Sequence, residues 1–325
     1  MASPGPSPLL PRDHWAGRAL ERLDALGLVP DYLPAQHAVS RAEAAAHLRS
    51  AVAAAVGRPE LQALALGWCE RFVEENPDVA ESRDQAGWSR ALQGSEARVT
   101  YVSRTGMLRP GTAMSGWSAT PSPDVVGPEA TVAVRLTPAR WVGVLLEQRA
   151  DRDGISVGSW AVSAPVGPFG IVVGRQPVAY GAAESGVITL SGPGPFTGVQ
   201  VYTLRPFRFP WIFRHMGTWS AHTFVSRLSE PRHPGNPWLW GANLEWRPHR
   251  RLTLSGNRGA IFGGDSVAVP TTPRTILEML WGDTKGGGLH SRPNNAFENQ
   301  SASVEIAYHP PTESFLPLRL YVEAG

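Results

Sequence analysis

One cysteine and one lysine, Cys69 and Lys285, are all that the 325 residues contain of either type. A lone cysteine excludes an intrachain disulfide and every cysteine-based zinc pattern. Arginine carries almost all the positive charge, a bias that fits a GC-rich coding sequence and marks no particular site. No apolar run reaches about twenty residues, which excludes a transmembrane helix but not a spanning β-barrel, whose strands alternate. With a net charge of +2 and no basic run, there is no phosphate-tracking stripe, and nucleic acid is not an expected partner. The nine histidines form no H-E-x-x-H or similar pair, so neither a metal nor another cofactor is expected. Residues 1–11 are rich in Pro and Ser and lack the charged and apolar regions of a signal peptide, so export requires a leader upstream of Met1.

What is plentiful points to strands and turns: 34 Gly, 30 Pro and 12 Trp stand against only 18% charged residues. The chain nevertheless opens helically. After a disordered segment over residues 1–12, residues 13–94 read as a small helical module. Trp15, Ala19, Leu20, Leu23 and Leu26 recur at spacings of three and four until Gly27. A second helix starts at Ser40, with Glu43 three residues on as a capping box, and runs to Val56 before Gly57. Pro59 starts a third, with Leu61, Leu64, Ala65, Trp68 and Phe72 on one face and Asn76-Pro77 at its end.

From about residue 95 the period changes from 3.6 to 2, and roughly a dozen strands follow. The clearest covers residues 238–247, where Trp238, Trp240, Ala242, Leu244 and Trp246 alternate with Leu239, Gly241, Asn243, Glu245 and Arg247. A turn at Pro248-His249 leads to Leu252 and Leu254, alternating with Thr253, Ser255 and Asn257. Val132-Val134-Leu136 leads into residues 141–147, and Val304-Ile306-Tyr308 and Leu316-Leu318-Leu320-Val322 form a late pair. A soluble β-sandwich alternates as well. Segment length, Trp and Tyr at strand ends and a polar opposite face favour a membrane barrel.

Four features carry residue types of catalytic or binding chemistry. Gly154-Ile155-Ser156-Val157-Gly158 matches G-x-S-x-G, but that nucleophile needs a strand-to-helix turn, and residues 155–162 read as a strand. Lys285 among glycines lacks the order of a phosphate-binding loop. The loop over residues 259–299 is long enough to be functional, and Trp281, Arg292, Asn294 and Asn295 are types that bind sugars. Arg175, Arg205, Arg247 and Arg258, if inward, make a lumen positive and suited to an acidic polysaccharide or small anions.

Short motifs in a fixed order add a family expectation. Val173-Gly174-Arg175-Gln176-Pro177 with Tyr180-Gly181, Gly186-Val187-Ile188-Thr189-Leu190-Ser191, Arg205-Pro206-Phe207 and Leu239-Trp240-Gly241-Ala242-Asn243-Leu244 come first. Arg247-Pro248, Arg258 with Phe262-Gly263-Gly264, Asn299 and Leu318-Arg319-Leu320-Tyr321-Val322-Glu323 continue the order. Over residues 95–325 this chain resembles the Wzi-type capsule assembly family. The resemblance implies a mainly β fold: an antiparallel outer-membrane β-barrel behind the helical module, truncated at the C-terminus because the family's barrel continues further. It also implies a cell outer-membrane location and polysaccharide and lipid as partners. Tyr180, Arg175, Arg205, Arg247, Arg258, Trp281, Arg292 and Asn295 become the glycan-binding or lumen candidates. The helical prefix, with Asp13-His14-Trp15-Ala16, Leu26-Gly27-Leu28 and Ser40-Arg41-Ala42-Glu43-Ala44, resembles a surface-layer homology unit. That likeness implies Arg41 as a contact to peptidoglycan, although Arg41 equally serves a capped helix start that packs on the barrel mouth.

The leading expectation is a non-enzymatic outer-membrane protein that assists assembly or surface attachment of capsular or extracellular polysaccharide. A porin-like channel tethered to the wall by its helices is the alternative, and a hydrolase built on Ser156 a third.

Overall fold

In the computed structural model, the described residues are 10, 14–33, 39–76, 79, 96–103, 126–139, 142–151, 154–178, 180, 195–228, 236–264, 297–308 and 320–324. Local signals place the three helices. Helix α1, Trp15–Ala25, is capped by His14, whose ring accepts from the Ala16 N–H. It ends in a Schellman motif: Gly27 at φ 71 lets the Leu28 N–H reach the Leu23 carbonyl and the Gly27 N–H reach that of Asp24. Helix α2, Arg41–Ala54, begins where Ser40 accepts from the Glu43 N–H, and α3, Pro59–Glu75, has proline in its first turn. Their apolar stripes meet in one core of Ala16, Leu20, Leu23, Leu48, Ala51, Ala65 and Phe72, with Leu28 and Tyr32 from the α1–α2 connection. Leu10 joins that core and donates its N–H to Val39. The expected disordered stretch of residues 1–12 therefore contains a packed residue. At the end of α3, Glu75 is partly buried, which raises a carboxyl pKa. Hydrogen bonds from Trp15 and Arg71, with the charges of Arg71 and His14, outweigh burial and hold it below its ordinary value.

Eleven strands follow: β1 Glu96–Ser103, β2 Val126–Ala139, β3 Val142–Asp151, β4 Gly154–Val166, β5 Phe169–Pro177, β6 Pro195–Thr203, β7 Thr218–Arg227, β8 Trp238–His249, β9 Leu252–Phe262, β10 Phe297–Tyr308 and β11 Leu320–Ala324. They form a single sheet in sequence order, every neighbouring pair antiparallel. Among the described residues the two edges, β1 and β11, are not paired with each other, so the sheet is an open section of barrel.

Two expected boundaries move. The β8–β9 turn lies at Arg250-Arg251, because a register shift after Trp246 keeps Pro248 in the strand and pairs His249 with Leu252. Strands β9 and β10 also reach into the expected long loop, since Phe262 pairs with Phe297 and Ile261 with Asn299. The expected loop is thus bounded by paired strands at Phe262 and Phe297, and its residues 265–296 lie outside the described residues.

The faces are sorted in the opposite sense to a soluble core. On β7, β8, β9 and β10 the buried positions include Ser220, His222, Ser226, Asn243, Glu245, Ser255, Asn257, Ser303 and Glu305, while Val225, Trp238, Leu244, Val304, Ile306 and Tyr308 are exposed. In β4 a bulge at Gly158-Ser159 against Glu147 preserves this sorting. Leu146 pairs with Trp160 but Gln148 with Val157, so Ile155 and Val157 before the bulge share the exposed face with Trp160, Val162 and Val166 after it.

Candidate functional site

The inner face is the one against which the helical module docks, and its side chains form three tiers. Nearest the helices, Arg247 of β8 reaches Asp24 of α1 with both terminal nitrogens, at 3.0 and 3.2 Å. Its Nη1 also donates to the Pro30 carbonyl at 2.7 Å and its Nε to Thr253 at 3.1 Å. Both side chains of the pair are 4% exposed. Tyr202 of β6 lies within electrostatic reach of Glu43 of α2 and packs with Leu145, Ala161, Val172 and Leu204.

The middle tier is a polar row running straight across the register: His222 pairs with Asn243, Asn243 with Asn257, and Asn257 with Ser303. The Asn243 amide donates to Ser255 and Asn257, and the Asn257 amide to Ser303. Buried carboxylates of Glu245 and Glu305 flank Ser255 one step nearer the helices.

The far tier is aromatic. Tyr180 is fully buried, its hydroxyl 2.8 Å from His222 Nδ1, and Gln200 lies 3.2 Å from His222 Nε2. Phe224 stacks on Phe196 and packs beside Tyr180, among Val178, Leu228, Leu239 and Ile261. Two deeply buried acceptors, Gln176 Oε1 and Asn243 Oδ1, have no hydrogen-bond partner among the described residues. An unmet buried acceptor costs about 1–3 kcal/mol, so each of these oxygens favours an incoming hydroxyl donor.

Ring contacts also set the depth of the inner face. Gly170 lies under the Tyr202 ring and Gly241 under that of Phe224; a Cβ there would stand 2.4 and 2.3 Å from those rings. Glycine at these strand positions lets an aromatic lie flat across the neighbouring strand.

The expected site residues separate under this geometry. Tyr180 and Arg247 are on the inner face, in the far and near tiers. Arg175 is exposed and shares the face of Val173, opposite to Gln176; Arg258 shares the outer face with Leu254 and Gly256. Neither puts charge into the lumen, because the two-residue repeat turns each away from its inward neighbours. Arg205 is exposed in the β6–β7 connection. Trp281, Arg292 and Asn295 lie outside the described residues. Arg41 is 2% exposed within the helical module, so it cannot meet a polymer from the surface. Ser156 sits inside β4 opposite Arg149 in a hairpin, not on a strand-to-helix turn. Sequence reasoning gave Gln176 and Gln200 no site role. Gln176 shows only as the alternate of Arg175, and Gln200 meets His222 through the β6–β7 register.

Outside, aromatic residues mark two levels. Trp219 stacks on Trp246 with centroids 5.0 Å apart at the helical end. At the other end stand Trp238 and Trp240, the latter donating to Thr223. From Trp238 to Trp246 the strand rises about 26 Å, or about 20 Å along a barrel axis tilted roughly 40°, close to the apolar band of an outer-membrane barrel. Between these levels Ala242 and Leu244 present an apolar surface, which exposed Val225 continues beside Trp240.

The capsule assembly protein Wzi family matches residues 75–324. A solved structure described as Wzi, an outer membrane protein involved in group 1 capsule assembly in Escherichia coli and a carbohydrate-binding β-barrel, superposes with a TM-score of 0.69 at 13% identity. That match covers 98% of this chain, helices included, and 63% of the solved one, so the chain spans less than two thirds of its length. No curated protein is significantly similar. The ordered motifs, the polar-in and apolar-out sheet and the family match lead to one identification: the chain belongs to the Wzi capsule assembly family.

Proposed function

We propose that this protein assists the assembly or surface attachment of a capsular polysaccharide without catalysing a reaction, and that the far tier of the inner face takes part of the glycan. The observation that carries the reading is the composition of that face. Amides, a histidine and a phenol converge beside stacked aromatic rings, the combination that meets sugar hydroxyls and C–H faces together. Gln176 and Asn243 supply two acceptors that a hydroxyl would satisfy. The family and the solved carbohydrate-binding barrel support the same class of ligand.

Orientation follows from connection lengths. At the helical end the strands are joined through 140–141, 167–168, 204–217, 250–251 and 309–319, and at the other through 104–125, 152–153, 178–194, 228–237 and 263–296, so the longest connections gather away from the helices. Outer-membrane barrels keep short turns periplasmic and long loops extracellular. The helical module then sits on the periplasmic mouth and the aromatic tier faces outward. A channel for anions is the weaker reading: Arg247 is neutralised by Asp24, and Arg175 and Arg258 are on the outer face.

The test is glycan-array binding by the full chain in detergent, alongside planar-bilayer conductance. Retention of a capsular polysaccharide, weakened by Gln176→Ala and by Tyr180→Phe, is expected. A steady open pore with no glycan retained would overturn the proposal in favour of transport.

A further inference from the structure

Two segments lie side by side at the helical end of the sheet: the β6–β7 connection over residues 204–217 and the β8–β9 hairpin over residues 246–252. Together they hold six arginines and two histidines and not one carboxylate. Arg247 is committed to Asp24, but Arg208, Arg214 and Arg250 are exposed.

The β6–β7 connection turns toward the outer face. Phe207 and Trp219 exchange two backbone hydrogen bonds of 2.8 Å, and Phe209 packs edge-on against both rings, at 5.2 and 5.6 Å. Trp219 continues the stack onto Trp246, whose indole N–H donates to the Met216 carbonyl. Gly217, at φ 90, permits this closure, since a Cβ there would lie 2.0 Å from the Arg247 carbonyl oxygen. The result is a built shelf of aromatic rings, continuous with the apolar belt and edged by guanidinium groups.

Trp211 stands on its rim. It is 86% exposed and holds φ 62, a left-handed conformation that a bulky side chain rarely adopts. Strain of this kind persists at functional sites. An indole presented to water, beside exposed Phe209 and Met216, fits the boundary between hydrocarbon and headgroups.

We propose that this shelf is a lipid-binding foot that holds anionic glycerophospholipid of the periplasmic leaflet, with Trp211 and Phe209 at the headgroup boundary and Arg208, Arg214 and Arg250 on the phosphates. Charge complementarity selects the lipid: three exposed guanidinium groups without a nearby carboxylate in either segment attract an anionic headgroup over a zwitterionic one. The apolar belt above the shelf supplies the bilayer that brings the headgroups to this level.

The experiment reconstitutes the full chain in phosphatidylcholine vesicles containing phosphatidylglycerol, with bromine on the acyl chains of one lipid or the other. Tryptophan fluorescence is read, and heat-modifiable migration on gels checks that the barrel is folded. Brominated phosphatidylglycerol is expected to quench more than brominated phosphatidylcholine at equal mole fraction. That preference should fall by at least half in the folded Arg208→Gln, Arg214→Gln, Arg250→Gln variant and should shrink as salt rises. Trp211→Phe should remove a quenchable component. If the triple variant does not fold, the lipid preference and salt dependence of the native chain decide. Equal quenching by the two lipids overturns the proposal. So does a preference for brominated lipid A, which assigns this end to the other leaflet, or loss of Trp211 quenching on self-association, which assigns the shelf to a second copy.

Discussion

Removing Arg247 tests how the helices are held to the barrel. Its guanidinium makes two bonds to the Asp24 carboxylate, one to the Pro30 carbonyl and one to Thr253, and both charged side chains are 4% exposed. An exposed ion pair contributes about 0–1 kcal/mol, but truncating one partner of a buried pair strands the other charge and costs about 3–5 kcal/mol. Arg247→Ala is therefore expected to weaken docking by that amount, lowering the protection of α1 amides against hydrogen exchange by roughly a hundredfold to several thousandfold if they exchange through undocking. Asp24→Leu combined with Arg247→Met should recover most of the loss, since a buried pair replaced by apolar groups of similar volume is often neutral or better. The assay is exchange measured by mass spectrometry on the detergent-folded chain, with the β7–β9 amides as internal reference. Unchanged α1 protection in Arg247→Ala, or strictly additive single and double variants, refutes the reasoning.

Three further outcomes follow from other parts of the structure. Leu244→Arg places a charge on the apolar band and should destabilise the barrel in vesicles by about 2–4 kcal/mol, read from urea-dependent folding; no change contradicts the outward assignment of that face. Gly241→Ala should cost about 1–3 kcal/mol by displacing the Phe224 ring, and the loss should be smaller in a Phe224→Ala background, measured by the same titration. The lowered pKa of Glu75 means that the folded state binds its proton less readily than the unfolded chain. Its stabilising contribution is present above the unfolded value, near 4.5, and is lost as pH falls through the lower folded value. Melting of the helices by circular dichroism should decline in that acidic window, and Glu75→Gln should flatten the decline.

Helix limits were legible because their causes are local. Ser40 and Glu43, Gly27, and Pro59 each act within a few residues, through a cap, a left-handed C-terminus and a preset φ. Alternation likewise exposed the two faces of β8 before any partner strand was known. The β8–β9 turn was misplaced because Pro248-His249 looks like a turn on its own, while pairing of His249 with Leu252 depends on a bulge in the register. For the same reason Arg175 and Arg258 could be chosen by residue type, but only the strand pleat decided that they turn outward.

The sequence by itself determined three capped helices, alternating strands and the motif order of the family, all properties of neighbours along the chain. Tertiary structure decided the direction of the apolar face. The same alternation serves a sandwich that buries its valines or a barrel that shows them to lipid, and only the placement of the polar side chains on the inner face, where the helices dock, separates the two. It also decided the site: Arg247 meets Asp24 across 223 residues and Tyr180 meets His222 across 42, contacts that no periodicity encodes because strand register and helix docking create them.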